Sequence, residues 1–339
     1  MKLIRTEDAI GHVLCHDMTQ IIKDQYKDAR FRKGHIVTEK DIPVLLSMGK
    51  EHLYVWEMVP GMLHEDEGAA RLAALCAGEN MALSEPKEGK IEVFAQCDGL
   101  FLVDSRRLTA VNSVGDVMIA ARRGNTAVHR GDKLAGTRVI PLVIPEETLR
   151  KAEKAAGPES LLSIRPWKRK TAAIVVTGSE VKAGRVKDEF SPVVVDKLAA
   201  FGVETRSVTC PGDGVEQVAG AVIEARNSGV DLVVCTGGMS VDPDDSTPGG
   251  IRAAGAEVVS YGAPVLPGAM FLLGYFDDGT PVMGLPGCVM YAGATIFDLV
   301  LPKIVAGVPV TRADLASMGE GGLCLGCKPC RYPICPFGR

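Results

Sequence analysis

The chain has no surplus of positive charge: 38 Lys and Arg stand against 42 Asp and Glu, a formal net charge of −4. A protein that grips nucleic acid by neutralising its phosphates carries the opposite balance, so that partner is set aside. No apolar run reaches the length needed to cross a bilayer, so no membrane partner is expected. The opening residues, Met1-Lys2-Leu3-Ile4-Arg5-Thr6-Glu7-Asp8, lack the apolar stretch of a secretory signal. The expected location is therefore the cytoplasm. Repeats and low-complexity tracts are absent, and the six histidines show no metal-ligand spacing. Aromatics are scarce at 5%, beside 46% hydrophobic and 24% charged residues. That is a soluble globular balance, and 339 residues suffice for two or three domains, each with its own core.

Cysteine is unevenly used. Cys15, Cys76, Cys97, Cys210, Cys235 and Cys288 are scattered, several within apolar runs, and read as buried thiols of a reducing compartment. Cys324, Cys327, Cys330 and Cys335 crowd into the last sixteen residues.

Four segments are expected. Residues 1–60 form a small β-rich module with one helix, begun by Thr38 and Asp41 and followed by a strand at Leu53 to Trp56. Residues 61–165 are a mixed α+β region, with an Ala-rich helix over 66–83 and another over Glu146 to Ala156. Residues 168–310 alternate strands and helices: strands at 171–177, 203–209, 230–235 and 281–285, helices at 192–201, 214–227 and 289–305. Such alternation predicts an α/β domain with a three-layer, mostly parallel sheet covered on both faces. Asp213 is expected to cap the second helix, and Pro302 to kink or end the third. Residues 311–339 are a cysteine-rich tail.

In parallel sheets ligands sit beyond the carboxyl ends of the strands. Three loops begin there: Thr177-Gly178-Ser179-Glu180, the stretch Thr236 to Pro248, and Pro286-Gly287-Cys288. In the second, Gly237 and Gly238 let the backbone approach a ligand, and Thr247-Pro248 reads as an N-cap followed by proline at the first helical position. Asp242, Asp244 and Asp245 repel a bare phosphate, so an anion there calls for a cation as well.

These residues resemble the molybdopterin-binding domain family. The likeness is to the molybdotransferases and the matching parts of gephyrin, over residues 170–307. It rests on Thr177-Gly178-Ser179-Glu180, Val186-Lys187-Asp188, Gly237-Gly238-Met239-Ser240-Val241 with Asp245, and Gly284-Leu285-Pro286-Gly287. Asp245-Ser246-Thr247-Pro248 is similar to the family's adenylyltransferases. The resemblance implies a pterin cleft formed by Thr177, Gly178, Thr236, Gly237, Gly238, Ser240, Asp242, Thr247, Pro286 and Gly287. It implies Glu180, Asp188 and Asp245 as catalytic carboxylates, with Mg²⁺ held by Glu180 and Asp245. The implied partners are molybdopterin or its adenylated form, molybdate, and the molybdoenzymes or cofactor-biosynthesis proteins around them; a homodimer is implied too. The chain also departs from the pattern. Asp242 replaces a glycine, Ala269 a lysine, Cys288 an asparagine, and Asp244 an adenylyltransferase arginine.

Two functions follow from the resemblance: a transferase inserting molybdate into adenylated molybdopterin, or a non-catalytic molybdopterin carrier, chaperone or sensor. Apart from these, Cys324-x2-Cys327-x2-Cys330-x4-Cys335-Pro336 is close to the bacterial-ferredoxin run, with one extra residue before the last cysteine. Its compactness suits a [4Fe–4S] cluster better than Zn²⁺, which favours two well-separated pairs.

Overall fold

A computed structural model describes residues 2–22, 26–55, 60–242 and 245–338. Trp56 and Asp244, singled out above, lie outside the described residues. The chain divides into two compact units, Met1–Cys97 with Phe101–Gly124 and Val128–Ile164, and Arg165–Arg339 with the short stretches Asp98–Leu100 and Asn125–Ala127.

The first unit is β-rich. Strand Lys2–Arg5 pairs antiparallel with His52–Val55, and Met18–Ile22 with Tyr26–Phe31. Helix Ile42–Ser47 closes a core of Leu14, Met18, Phe31, Val37, Leu45 and Leu53. Asp41 stands at its start and accepts from the Thr38 N–H at 2.8 Å. Next, a four-stranded antiparallel sheet is ordered Met81–Leu83, Lys90–Ala95, Lys133–Val139, Val117–Ala121. The helix expected over 66–83 spans only Glu65–Ala74. A turn with Asn80 at φ +63° ends the segment, and Met81–Leu83 then joins the sheet. Glu146–Ala156 is helical as expected.

The second unit is built on a six-stranded sheet: β1 (Thr171–Val176), β2 (Glu204–Thr209), β3 (Leu232–Thr236), β4 (Glu257–Tyr261), β5 (Leu272–Tyr275) and β6 (Pro281–Leu285). The order is β2-β1-β3-β6-β5-β4. Strands β1, β2, β3 and β6 are mutually parallel, and β5 alone runs antiparallel to both neighbours. The connection between β4 and β5 is a loop rather than a helix, so the strand direction reverses there.

Among the described residues six helices belong to this unit: α1 (Ser179–Lys182), α2 (Phe190–Ala199), α3 (Val215–Asn227), α4 (Thr247–Ala253), α5 (Ile296–Val305) and α6 (Arg312–Ser317). Alternate residues of the central strands face opposite layers. Ile174, Val176, Leu232 and Val234 pack with Val194 and Leu198 of α2 and Ile296, Phe297 and Val300 of α5. Ala173, Val175, Val233 and Cys235 pack with Val218 and Val222 of α3 and Ile251 of α4. The result is a three-layer α/β domain with a mostly parallel sheet.

The expected helix over 289–305 is broken. A 3₁₀ turn spans Gly287–Met290, and α5 starts only at Ile296. Thr295 and Asp298 form a capping box that restarts the helix: the Thr295 N–H donates to Asp298 Oδ2 at 2.7 Å, and the Phe297 N–H to Thr295 Oγ1 at 3.2 Å. Pro302 lies inside α5 without ending it. It offers no N–H to the carbonyl four residues back, that of Asp298, which instead accepts the Tyr332 hydroxyl at 3.0 Å.

Candidate functional site

The strand order creates a switch point. From β1 the chain crosses first to β2 on one side and then to β3 on the other, opening a crevice beyond the carboxyl ends of β1 and β3. Val176 pairs with Thr236, and Thr236 with Leu285, so the loops after β1, β3 and β6 leave the sheet side by side. The Thr177 N–H extends the ladder by donating to the Thr236 carbonyl at 2.8 Å.

Gly237 and Gly238 both have positive φ, +80° and +51°. A Cβ on Gly237 would lie 2.3 Å from the Thr177 carbonyl oxygen and 2.8 Å from its Oγ1. Only glycine fits so close a crossing of two loops. Thr177 and Thr247, both buried, brace the crossing. Thr177 Oγ1 donates to the Thr236 carbonyl at 3.1 Å, Thr247 Oγ1 to the Gly237 carbonyl at 2.9 Å, and the two hydroxyls lie 3.0 Å apart. Thr247 is therefore the first residue of α4 rather than its N-cap, with its hydroxyl turned to the neighbouring loop. Thr236 Oγ1 is buried at the end of β3 without a hydrogen-bond partner, which leaves an unsatisfied hydroxyl beneath the crevice.

The carboxylates take up structural duties. Asp188 caps α2: Oδ1 accepts from the Phe190 N–H at 2.8 Å and the Ser191 N–H at 3.0 Å, while Oδ2 accepts the Ser191 hydroxyl. Asp245 closes its own turn, with Oδ2 accepting the Asp242 N–H at 3.2 Å and its N–H donating to the Asp242 carbonyl at 3.0 Å. Glu180 is exposed in the first turn of α1, and Gly178 precedes it at φ +140°. Asp213 does not cap the helix after it; it reaches across to the Ser179 N–H at 2.7 Å. The start of that helix is served by Ser246, whose Oγ accepts from the Gly214 N–H at 3.1 Å. Among the described residues no group of three or more His, Cys, Asp or Glu is arranged to hold a metal ion. Glu180, Asp188 and Asp245 are thus not gathered into such a group.

Ser240, Val241 and Asp242 are exposed at the rim, Pro286 is buried and Gly287 exposed. Tyr261, from the far edge strand β4, fastens the rim by donating to the Met239 and Ser240 carbonyls, each at 3.0 Å. Burial, with the Asp245 charge adding to it, raises the Tyr261 pKa and keeps this donor protonated. Lys182 ties α1 to the next loop through the Pro211 carbonyl at 2.5 Å. Two thiols border the crevice, Cys210 near the Gly178 carbonyl and Cys288 after Gly287; burial raises both pKa values, so neither is a thiolate nucleophile at neutral pH. The contacts of Ser246 and Tyr261 were not legible in the sequence, because their partners lie 32 and 21–22 residues away. The tail cysteines stand apart from the crevice loops in sequence; Cys327 and Cys330 are exposed, Cys324 and Cys335 half-buried, and none is disulfide-bonded.

Comparison with known proteins bears on this domain. Residues 173–306 match the family described as "Probable molybdopterin binding domain", and residues 3–57 match a domain of unknown function (DUF8806). A CinA-like protein of Mycobacterium avium (strain 104) is 41% identical over 76 residues, 22% of this chain and 18% of that protein. A CinA-like protein of Mycobacterium sp. (strain MCS) is 38% identical over 89 residues, 26% of this chain and 21% of that protein. The chain thus spans about a fifth of the length of these curated relatives. Among solved structures, the CinA protein of Thermoplasma acidophilum gives a TM-score of 0.35 at 19% identity, covering 40% of this chain and 99% of its own. The tungsten cofactor synthesizing protein MoaB of Pyrococcus furiosus gives 0.34 at 20%, covering 40% and 93%. The likeness to the molybdopterin-binding family is thus confined to residues 173–306, and the curated relatives do not single out its molybdotransferase branch.

Proposed function

We propose that this protein binds molybdopterin, or its adenylated form, in the crevice beyond β1 and β3 and acts as a carrier, chaperone or sensor of it. The observation that carries the reading is the glycine crossing braced by Thr177 and Thr247 at the switch point. The two glycines contribute no side chain there, the Thr177 and Thr247 hydroxyls pack beside them, and the partnerless Thr236 hydroxyl is buried at the end of β3. Bound there, molybdopterin supplies a dithiolene that holds molybdenum. The residues of this chain do the holding: Gly237 and Gly238 admit the terminal phosphate to main-chain N–H groups, and Ser240 adds a hydroxyl at the rim. Pro286 and Gly287 border the cradle on the β6 side.

The alternative, insertion of molybdate into adenylated molybdopterin, requires more of the carboxylates. Both oxygens of Asp188 serve the start of α2 and Asp245 serves its own turn, which favours binding over catalysis. Ala269 and Cys288, where the molybdotransferase pattern has lysine and asparagine, favour the same side. Recipients of the ligand are then molybdoenzymes or other proteins of cofactor biosynthesis.

The test is anaerobic. Purified protein is titrated with molybdopterin and with its adenylated form, then supplied with molybdate and Mg²⁺ while AMP is followed. The expected result is saturable binding, weakened at least tenfold by Gly237→Ala, with no AMP above the protein-free control. Molybdate-dependent AMP release would replace the carrier with the transferase, and absence of binding would remove both.

A further inference from the structure

The crevice occupies the carboxyl ends of the parallel strands. At the opposite edge of the same sheet, where β1 and β6 begin and β5 ends, lies a cavity of about 250 Å³. Arg169 and Tyr275 line it, with Gly279, Ile304, Val308 and Pro309 as walls. Arg169 Nε donates to the Ile304 carbonyl at 3.1 Å, Nη1 to the Asp231 carbonyl at 2.7 Å and Nη2 to the Gly279 carbonyl at 3.1 Å. Three of its five N–H groups are thus spent on neutral oxygens, and two remain. The acids that act on its charge are engaged elsewhere. Asp231 Oδ2 accepts from the Lys170 and Thr171 N–H groups and the Thr171 hydroxyl, and Asp278 Oδ2 from Arg226. Burial holds the Arg169 pKa below its usual value, with Asp231, Tyr275 and Asp278 opposing the shift. A half-buried cation without a paired carboxylate is the setting that an incoming anion relieves. Tyr275 adds a second donor: its oxygen accepts the Val310 N–H at 2.9 Å, which leaves the O–H proton to give. Burial, with Asp314 adding to it, raises the Tyr275 pKa against the pull of the Val310 N–H and Arg169, so that proton stays in place.

We propose that this cavity binds a small organic monocarboxylate, its head group on the remaining N–H groups of Arg169 and the Tyr275 hydroxyl, its hydrocarbon body against Ile304, Val308 and Pro309. The charge count selects a monoanion: one guanidinium and one neutral donor balance one carboxylate, and a phosphate dianion brings a second charge that nothing here meets. The walls select the body, because apolar side chains favour hydrocarbon over a bare hydrated ion. Size limits it: the cavity falls below the roughly 300–1,000 Å³ of pockets that take drug-sized ligands. The Ile304 and Gly279 carbonyls, the acceptors nearest the head group, are already filled by Arg169 and do not repel it.

This proposal stands independently of pterin binding, which uses the other edge of the sheet. Full-length protein is titrated with benzoate, with benzamide as its uncharged isostere and with inorganic phosphate, followed by calorimetry and saturation-transfer NMR. The expected result is saturable benzoate binding, at least tenfold weaker binding of benzamide, and none of phosphate. Arg169→Lys keeps the charge but loses the planar fork, and lowers benzoate affinity at least tenfold. Because Arg169 also ties three carbonyls together, a second variant leaves it in place: Val308→Phe fills the cavity and abolishes binding. Far-UV circular dichroism of each variant identifies any that fail to fold. A folded wild-type chain that does not bind benzoate, binds benzamide equally well or takes phosphate instead overturns the assignment. So does a folded Val308→Phe chain that binds benzoate like the wild type.

Discussion

Asp188 and Gly237 both belong to motifs that the family resemblance picks out, yet they do different work. Asp188 spends both carboxylate oxygens on α2, so Asp188→Ala behaves as the loss of a helix cap: about 1 kcal/mol of stability disappears. Molybdopterin affinity then stays within about twofold. Urea unfolding and an anaerobic titration of the same preparation check both halves, and a tenfold affinity loss would show that Asp188 touches ligand after all. Gly237→Ala does the reverse. A methyl 2.3 Å from the Thr177 carbonyl oxygen forces the two loops apart, costing roughly 1–3 kcal/mol and the cradle with it. The sequence does not separate these roles, because Asp followed three residues later by Ser writes a ligand and a helix cap identically.

At the scale of elements, the strand-helix alternation of 171–236 was legible to within two or three residues, since buried parallel strands are continuous apolar runs. Two features were hidden. Strands β4 and β5 are joined by a loop, so no alternation announces them. The break between Met290 and Ile296 looks apolar throughout, and only the Thr295–Asp298 capping box marks it. The tail's attachment was equally invisible, because it depends on one proline and one tyrosine thirty residues apart. Tyr332→Phe strands the Asp298 carbonyl and costs about 1–3 kcal/mol. In a Pro302→Ala background the same change costs less, because Ala at 302 returns an N–H to that carbonyl. A double-mutant cycle by thermal unfolding measures the difference; equal costs in both backgrounds would break the link between the proline and the tail.

Across the whole molecule, the response of stability to pH is set in the first unit, around the start of the helix Glu65–Ala74. Burial, with repulsion from Asp66 added, pushes Glu65 up to about 7, while Arg138 and Lys33 pull it down and Glu88 raises it further. The folded chain thus holds a proton on Glu65 that the unfolded chain releases near 4.5. Its contribution is complete below that value and is lost as pH rises through about 7. Two histidines act in the opposite sense. Burial, chiefly, holds His64 and His16 below the usual 6.5; Lys33 lowers His64 further, and Lys50 and His64 lower His16, while Asp66 and Glu67 oppose the shift at His64 and Asp17 and Glu88 at His16. Their contribution is present above 6.5 and is lost as pH falls through their lowered values. His64 also caps the helix, accepting the Asp66 N–H on Nδ1 at 3.2 Å, and its Nε2 lies 2.7 Å from the Cys15 carbonyl oxygen. Protonation of Nδ1 ends that acceptance. Between pH 4.5 and about 7 the two effects therefore oppose one another, the Glu65 contribution falling as pH rises and that of the histidines growing up to 6.5. Glu65→Gln, which keeps the buried group neutral at every pH, removes the fall, worth up to about 3 kcal/mol, and leaves the rise. Melting curves of both proteins from pH 4.5 to 8.5 separate the two. A melting-temperature difference between the two proteins that stays constant from pH 4.5 to 7.5 would mean that Glu65 does not carry the fall.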